Sequence, residues 1–245
     1  MGDAAHQFSP FGGGRGGNSG IEDADNLAWK LAAVIQGRAG EGLLDSYTAE
    51  RRPIAQRNLA DSSKATEFIT PKSVHSLALH DAVLNLAKVA PFAQRYVNTG
   101  RFAVWPVLET SPLSIADQDD FPPDACPGTP VLDCPLTTPE GVPAWLTDQV
   151  SDAFTLLIYG APRSEDHVLA EHLSGIFPTR VLRIVAATDA PGKSGFRDAK
   201  GDVARIYDMR PGTTYLFRPD QHVLARWRQC NANAVEAALR STLCR

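Results

Sequence analysis

The sequence contains no C-x-x-C pair, and its four cysteines, Cys126, Cys134, Cys230 and Cys244, are too few and too scattered to staple 245 residues into a disulfide scaffold. Buried or incidental free thiols are the expectation. No apolar run approaches the roughly 20 residues that a membrane-spanning helix needs. The N-terminus also lacks the basic stretch and apolar core of a signal peptide, so the chain reads as cytoplasmic. There is no surplus of positive charge: 24 Lys and Arg against 28 Asp and Glu give a net charge of −4, which offers no broad basic surface to nucleic acid or to an anionic membrane. Small molecules or proteins are the expected partners. With 43% hydrophobic and 21% charged residues, the composition is that of a globular chain with material for one large or two ordinary domains.

Glycine, by contrast, is concentrated at the front, in "MGDAAHQFSPFGGGRGGNSGIEDADNLAWKL". Ser19 and Glu22 stand at capping-box spacing, and Leu27, Leu31, Val34 and Ile35 recur with helical period, which predicts a helix from near Ser19 to Gly37. A second helical stretch, 42–69, puts Leu43, Leu44, Tyr47, Ile54 and Leu59 on inner positions, with Pro53 ending or kinking one segment. A third, 73–97, breaks near Pro91. Such amphipathic helices need a surface to cover.

From Gly100 to about Pro143 the texture changes to prolines and the acidic "DQDD", which reads as a linker. Beyond it, "FTLLIYG" and "RVLRIVAA" read as buried strands separated by the helical "SEDHVLAEHLSGIF". "TTYLFRPDQHVLARWR" reads as two strands about a Pro219-Asp220 turn, and "NANAVEAALRSTL" as a helix with an Asn cap. The fold class is therefore α/β, in three parts: 1–100 mostly helical, 101–143 a linker and entry, and 144–245 a small mixed sheet with helices.

The chemistry concentrates in the opening stretch. Glycines let a backbone approach a ligand closely, and a helix N-terminus favours an electron-rich or anionic group, so the glycine run before a helix describes an anion-facing cradle. Asp3 adds an acceptor for ligand hydroxyls. The lysine of a Walker loop is missing, and so is a Rossmann G-x-G-x-x-G after a strand. A lone RGG in an acidic chain argues little for RNA, His167 and His172 are five apart and do not share a helix face as a metal pair would, and no G-x-S-x-G elbow occurs. His6 reads as orienting the turn, Trp29 as packing and Lys30 as rim.

The run Gly2-Asp3-Ala4-Ala5-His6, then Pro10, Gly16-Gly17-Asn18, Gly20, Asp23-Ala24 and Asn26-Leu27-Ala28-Trp29-Lys30-Leu31 resembles the second flavin motif of class A FAD-dependent aromatic hydroxylases. These include the para-hydroxybenzoate, phenol and 3-(3-hydroxyphenyl)propionate hydroxylases. "LLDSYTAERRP" resembles the segment that follows in that family, and "PGTPVLDCPL", "FTLLIYG" and "TTYLFRPDQHVLARW" look like the thioredoxin-like domain of the phenol hydroxylase branch. The resemblance implies the helical C-terminal portion of an FAD-binding domain followed by a thioredoxin-like α/β domain without a redox dithiol. It implies that Asp3 accepts a hydrogen bond from the ribityl chain of FAD, that Pro10 lies beside the flavin ring, and that backbone groups of Gly16, Gly17 and Asn18 face the isoalloxazine. The reaction it implies uses FAD and NAD(P)H to place one oxygen atom on a phenolic ring; a homodimer through the C-terminal domain is compatible with it.

Two departures stand out: the glycine run is one residue longer than the family pattern, with Arg15 inside it, and only Met1 precedes Gly2. Family members place a G-x-G-x-x-G strand-turn-helix and a substrate-binding sheet ahead of this motif. The chain is therefore expected to be a C-terminal fragment, a poor enzyme alone. The alternative is a non-catalytic module that docks onto a separate N-terminal flavin-binding half.

Overall fold

The structure, a computed structural model, describes residues 1–8, 15–97, 106–150, 152–192, 194–229 and 231–244. The chain divides into two compact units: Met1–Leu27 with Glu50–Trp105, and Ala28–Ala49 with Pro106–Arg245.

The first unit is helical. It holds a 3₁₀ turn at Gly2–Ala4, the N-terminal part of α1 (Arg15–Ile35), most of α2 (Asp45–Ile69), α3 (Val74–Val89) and α4 (Pro91–Val97). The break at Pro91 falls where the sequence predicts it. Helix α1, however, opens at Arg15 and not near Ser19. Both members of the apparent capping box are spent on packing instead: Ser19 is buried and its hydroxyl accepts from Asn58 Nδ2 at 3.2 Å, while Glu22 pairs with Arg51 at 2.8 Å. Glycine is a weak helix former but not a forbidden one, at about 1 kcal/mol per residue, so such contacts can carry Gly16 and Gly17 into a helix.

Helix α2 likewise runs through Pro53 without ending. Arg51 and Asn58, on either side of it, are both bonded to α1, and these ties offset the hydrogen bond that proline removes. Ile54 is buried as predicted, but Leu59 is exposed. Ser73 and Ser76 form a reciprocal capping box at the start of α3, which itself has no buried residue.

The second unit is built on a seven-stranded sheet of order β2-β1-β5-β4-β3-β6-β7. Its strands are β1 (Pro135–Thr137), β2 (Pro143–Trp145), β3 (Phe154–Tyr159), β4 (Thr179–Ala186), β5 (Phe196–Asp198), β6 (Thr214–Phe217) and β7 (Val223–Trp227). Helices α5 (Asp166–Ser174), α6 (Asp202–Ile206) and α7 (Ala232–Thr242) complete it. Strands β3 and β4 are parallel across α5, and the antiparallel β6–β7 hairpin lies on the other side of β3. This is the element order expected of a thioredoxin-like domain. Asn231 caps α7 by accepting from the Asn233 and Ala234 amides.

All six residues of β3 are buried, because both faces of the sheet are covered. Phe154, Leu156 and Ile158 face one core with Ala33, Leu43, Leu173 and Leu239, whereas Leu157 and Tyr159 face another with Leu182, Tyr207, Tyr215 and Phe217. Lys30, expected at the rim of α1, is instead fully buried in this unit. The segment expected as linker, 101–143, also differs: from Pro106 onward it packs into the second unit and buries Leu108, Leu113, Cys134 and Leu136. It shows no periodicity because side-chain bonds fasten it. The buried Arg226 donates to Asp117 and to the carbonyls of Pro122 and Asp124, and its guanidinium lies 4.5 Å from the Phe121 ring centre.

The same packing settles the thiol in this sheet. Burial, reinforced by the nearby carboxylates of Asp198, Asp202 and Asp133, pushes the Cys134 thiol up to about 12. Almost no Cys134 thiolate exists at neutral pH, and the sequence has no C-x-x-C dithiol, so the folded chain is expected to reduce insulin no faster than buffer. Insulin turbidity measures this, and clear reduction would overturn it.

Candidate functional site

In the first unit the turn Gly2–His6 meets a row of buried polar side chains. Ser19, Asp23 and Asn26 recur at helical spacing on α1 and are all buried. Facing them on α2 are Glu50, Arg51 and Asn58, also buried. Asn26 Nδ2 donates to Glu50 at 2.7 Å, Asn58 donates to Ser19, and the Asn58 side-chain carbonyl accepts from Arg15. Polar groups removed from water must be paired, and these are.

Asp23 is the centre of this row. Its Oδ1 accepts from Arg51 Nε at 2.8 Å, and its Oδ2 accepts from the Gly2 amide at 3.0 Å and from His6 Nε2 at 2.7 Å. Burial alone would push the Asp23 carboxyl up, but the Gly2 N–H, Arg51 and His6 together hold it below its ordinary value. It is therefore ionised at neutral pH. A carboxylate can only accept, so the shared hydrogen of the His6 contact sits on Nε2. Arg51 also reaches Glu22 and, at 3.5 Å, the Ser19 carbonyl.

These bonds tie the turn Gly2–His6 to α1. The Ala5 and His6 amides close it by donating to the Gly2 carbonyl at 2.8 and 3.0 Å, and Gly2 has φ +58°, a conformation that side chains disfavour. Asp3 stands in the middle of the turn and is exposed. His6 does orient this turn, through Asp23, and its ring packs 4.9 Å from that of Phe8.

The remaining predicted site residues sit as follows. Gly16, Gly17 and Asn18 are in the first turn of α1, with Gly17 and Asn18 exposed. Pro10 lies outside the described residues. A Cβ on Gly17 would meet nothing within 4 Å, and the first turn of α1 carries no acidic side chain to offset its positive end. An exposed carboxylate on a fastened turn, an open glycine backbone and a helix whose first turn has no acidic side chain among the described residues suit a ligand with hydroxyls and an electron-rich flat part. The residues present thus fit one side of a flavin.

The sequence alone gives no site role to Asp23, Arg51, Glu22 or Asn58. Their signal is the polar stripe at 19, 23 and 26, which keeps helical period beside the apolar one. Among the described residues, no helix is long and apolar enough to cross a membrane, and no cluster of three or more His, Cys, Asp or Glu could hold a metal ion.

Residues 1–62 match the family model described as FAD binding domain. The chain is 31% identical over 234 residues to the 3-(3-hydroxy-phenyl)propionate/3-hydroxycinnamic acid hydroxylase of Mycolicibacterium gilvum (strain PYR-GCK), covering 91% of this chain and 40% of the relative. The enzyme of the same name from Paraburkholderia xenovorans (strain LB400) is 42% identical over 117 residues, 48% of this chain and 19% of that one. The crystal structure of aklavinone-11 hydroxylase with FAD and aklavinone superposes with a TM-score of 0.69 at 27% identity, covering 100% of this chain and 43% of that one. The flavin-dependent monooxygenase PieE, with FAD and substrate, shares the fold at a TM-score of 0.72 and 24% identity, over 100% of this chain and 47% of its own. The chain spans about 40% of the length of the curated relatives that it matches from end to end.

Proposed function

We propose that this chain, which matches the FAD binding domain model over residues 1–62 and is 31% identical over 234 residues to a 3-(3-hydroxy-phenyl)propionate/3-hydroxycinnamic acid hydroxylase, supplies one wall of the flavin site of a monooxygenase that hydroxylates a phenolic ring with NAD(P)H as reductant. One observation carries this reading: the turn that bears Asp3 is fastened by buried polar bonds within the segment that matches the FAD binding domain. A surface tail would not need such bonds.

When bound, FAD supplies the redox chemistry and the activation of O₂. The contribution of this chain is to position. Asp3 accepts a hydroxyl of the ribityl chain, and Gly16, Gly17 and Asn18 let the ring edge approach backbone. The positive end of α1 favours negative charge on the ring. Residues beyond this chain's share of its relatives would complete the pocket and bind the aromatic substrate, whose class the relatives suggest to be hydroxyphenylpropionates. The reading places the enzyme in the cytoplasm.

A chimera tests this. The chain replaces the matching 40% of the M. gilvum hydroxylase, and NADPH-dependent hydroxylation of 3-(3-hydroxyphenyl)propionate is followed by product analysis. The 245-residue chain with added FAD is expected to give no product, and the chimera is expected to give product. A chimera that folds and holds FAD but forms no hydroxylated product would sink the hydroxylase reading. Turnover by the chain alone would refute its dependence on the rest.

A second reading, a non-catalytic module that docks onto a separate flavin-binding half, draws on α3. Leu79 and Leu86, seven residues apart on one side of that helix, and Val89 next to them are exposed, an apolar strip of the kind that marks contact with another polypeptide.

A further inference from the structure

Asp3 sits on a turn that has no hydrophobic anchor, since none of Gly2, Asp3 or Ala4 is buried. Two amide bonds onto one carbonyl would not keep so short a segment in a single conformation, because each loose residue retains backbone freedom worth about 1–2 kcal/mol. What holds it is one carboxylate that grips both ends: Asp23 takes the Gly2 amide and the His6 ring, and Asp3 lies between them.

The carboxylate is itself held. Arg51 occupies its other oxygen, Glu22 and the Ser19 carbonyl orient Arg51, and Asp23 and Arg51 are both at least 95% buried, with 1% and 5% exposure. Water therefore cannot replace Arg51 at this carboxylate without opening the α1–α2 packing.

We propose that Asp23, braced by Arg51, is the positioning residue of this half-site, presetting the turn so that Asp3 meets a ligand hydroxyl without an ordering cost at binding. The ligand class rests on the flavin reading above; the clamp itself rests on the geometry. The carboxylate form matters. An amide at this position has one acceptor and one donor end, so in either orientation an N–H faces Arg51 or the Gly2 amide. Asp23→Asn thus releases one end of the turn while changing almost no volume.

The test uses the full chain. Residue-resolved hydrogen exchange should show the Ala5 and His6 amides exchanging about tenfold faster in Asp23→Asn, with interior amides of α2 still protected. Unchanged exchange at Ala5 and His6 overturns the proposal. FAD titration of the chimera with the M. gilvum hydroxylase then reads the consequence. Asp23→Asn should weaken FAD about tenfold in the wild-type background and have little effect once Asp3→Ala is present, because it acts through Asp3. An equal loss in both backgrounds means that Asp23 is only structural.

Should Asp23→Asn fail to fold, His6→Ala and His6→Gln serve instead. The glutamine can return an N–H donor to Asp23, so it should restore the affinity that alanine loses; equal affinities for the two would overturn the proposal. If FAD binds neither wild type nor variants, the flavin reading fails, and amide exchange alone decides the clamp.

Discussion

Replacing Asp220 by alanine is expected to destabilise the chain by about 3–5 kcal/mol, the usual cost of breaking a buried ion pair from one side. Asp220 and Arg218 bracket the turn between β6 and β7, and both side chains are 1% exposed. Arg218 Nε donates to Asp220 at 2.8 Å, the second guanidinium nitrogen reaches the other carboxylate oxygen, and His222 Nδ1 contacts the Asp220 carbonyl at 2.7 Å. Arg218 also lies 5.7 Å from the Trp29 ring centre. Removal of the carboxylate takes a two-pronged counter-charge from a guanidinium inside the protein.

The pH dependence has a definite sign. Burial would raise the Asp220 carboxyl, but Arg218 and His222 hold it far below the ordinary carboxylate range. A depressed value means that the stabilisation is present above the unfolded carboxyl's value, about 4, and is lost only as pH falls through the folded one. Asp220→Asn should therefore narrow the stability difference from wild type as the pH is lowered below about 4. Urea unfolding at neutral pH measures the main effect, and a loss below about 1 kcal/mol would show that the pair is not desolvated.

Phe154→Ala is expected to cost about 3–5 kcal/mol, as large-to-small changes of buried aromatics do. Phe154 is fully buried and lies at the centre of three rings packed edge to face, with Trp29 at 5.8 Å and 84° and Phe177 at 5.3 Å and 88°. Trp29 comes from the segment 28–49, so this cluster ties that segment to the sheet inside the second unit. Phe154→Leu keeps most of the volume and should lose less than half as much. If Phe154→Ala unfolds in urea with wild-type midpoint and slope, the three-ring core is not what holds residues 28–49 in place.

The elements with strong periodicity were legible in the sequence. The buried strands β3 and β4, the β6–β7 hairpin and the capped α7 all follow from local patterns. Short strands were not: β1, β2 and β5 have three residues each, two of them begin with proline, and their pairing is set by distant partners. The 106–143 segment misleads for a related reason, since arginine side chains from β7 and beyond fasten it, which no local window records. Lys30 reads as a rim residue because lysine usually is, yet the packing of the second unit buries it. In the candidate site, Asp3 and the glycines stand out by residue type. Asp23 and Arg51 do not, because their role depends on two helices meeting 28 residues apart in sequence.

The central claim is that Asp3 and the turn beneath it form one side of a flavin site. Calorimetric titration of FAD into the apo chimera with the M. gilvum hydroxylase and into its Asp3→Ala variant tests it most directly. The account predicts saturable binding of one FAD per chimera, weakened about tenfold by Asp3→Ala with the fold intact, as expected for loss of one hydrogen bond to a charged acceptor. No saturable binding by the folded chimera, or equal affinity in the two proteins, would contradict it.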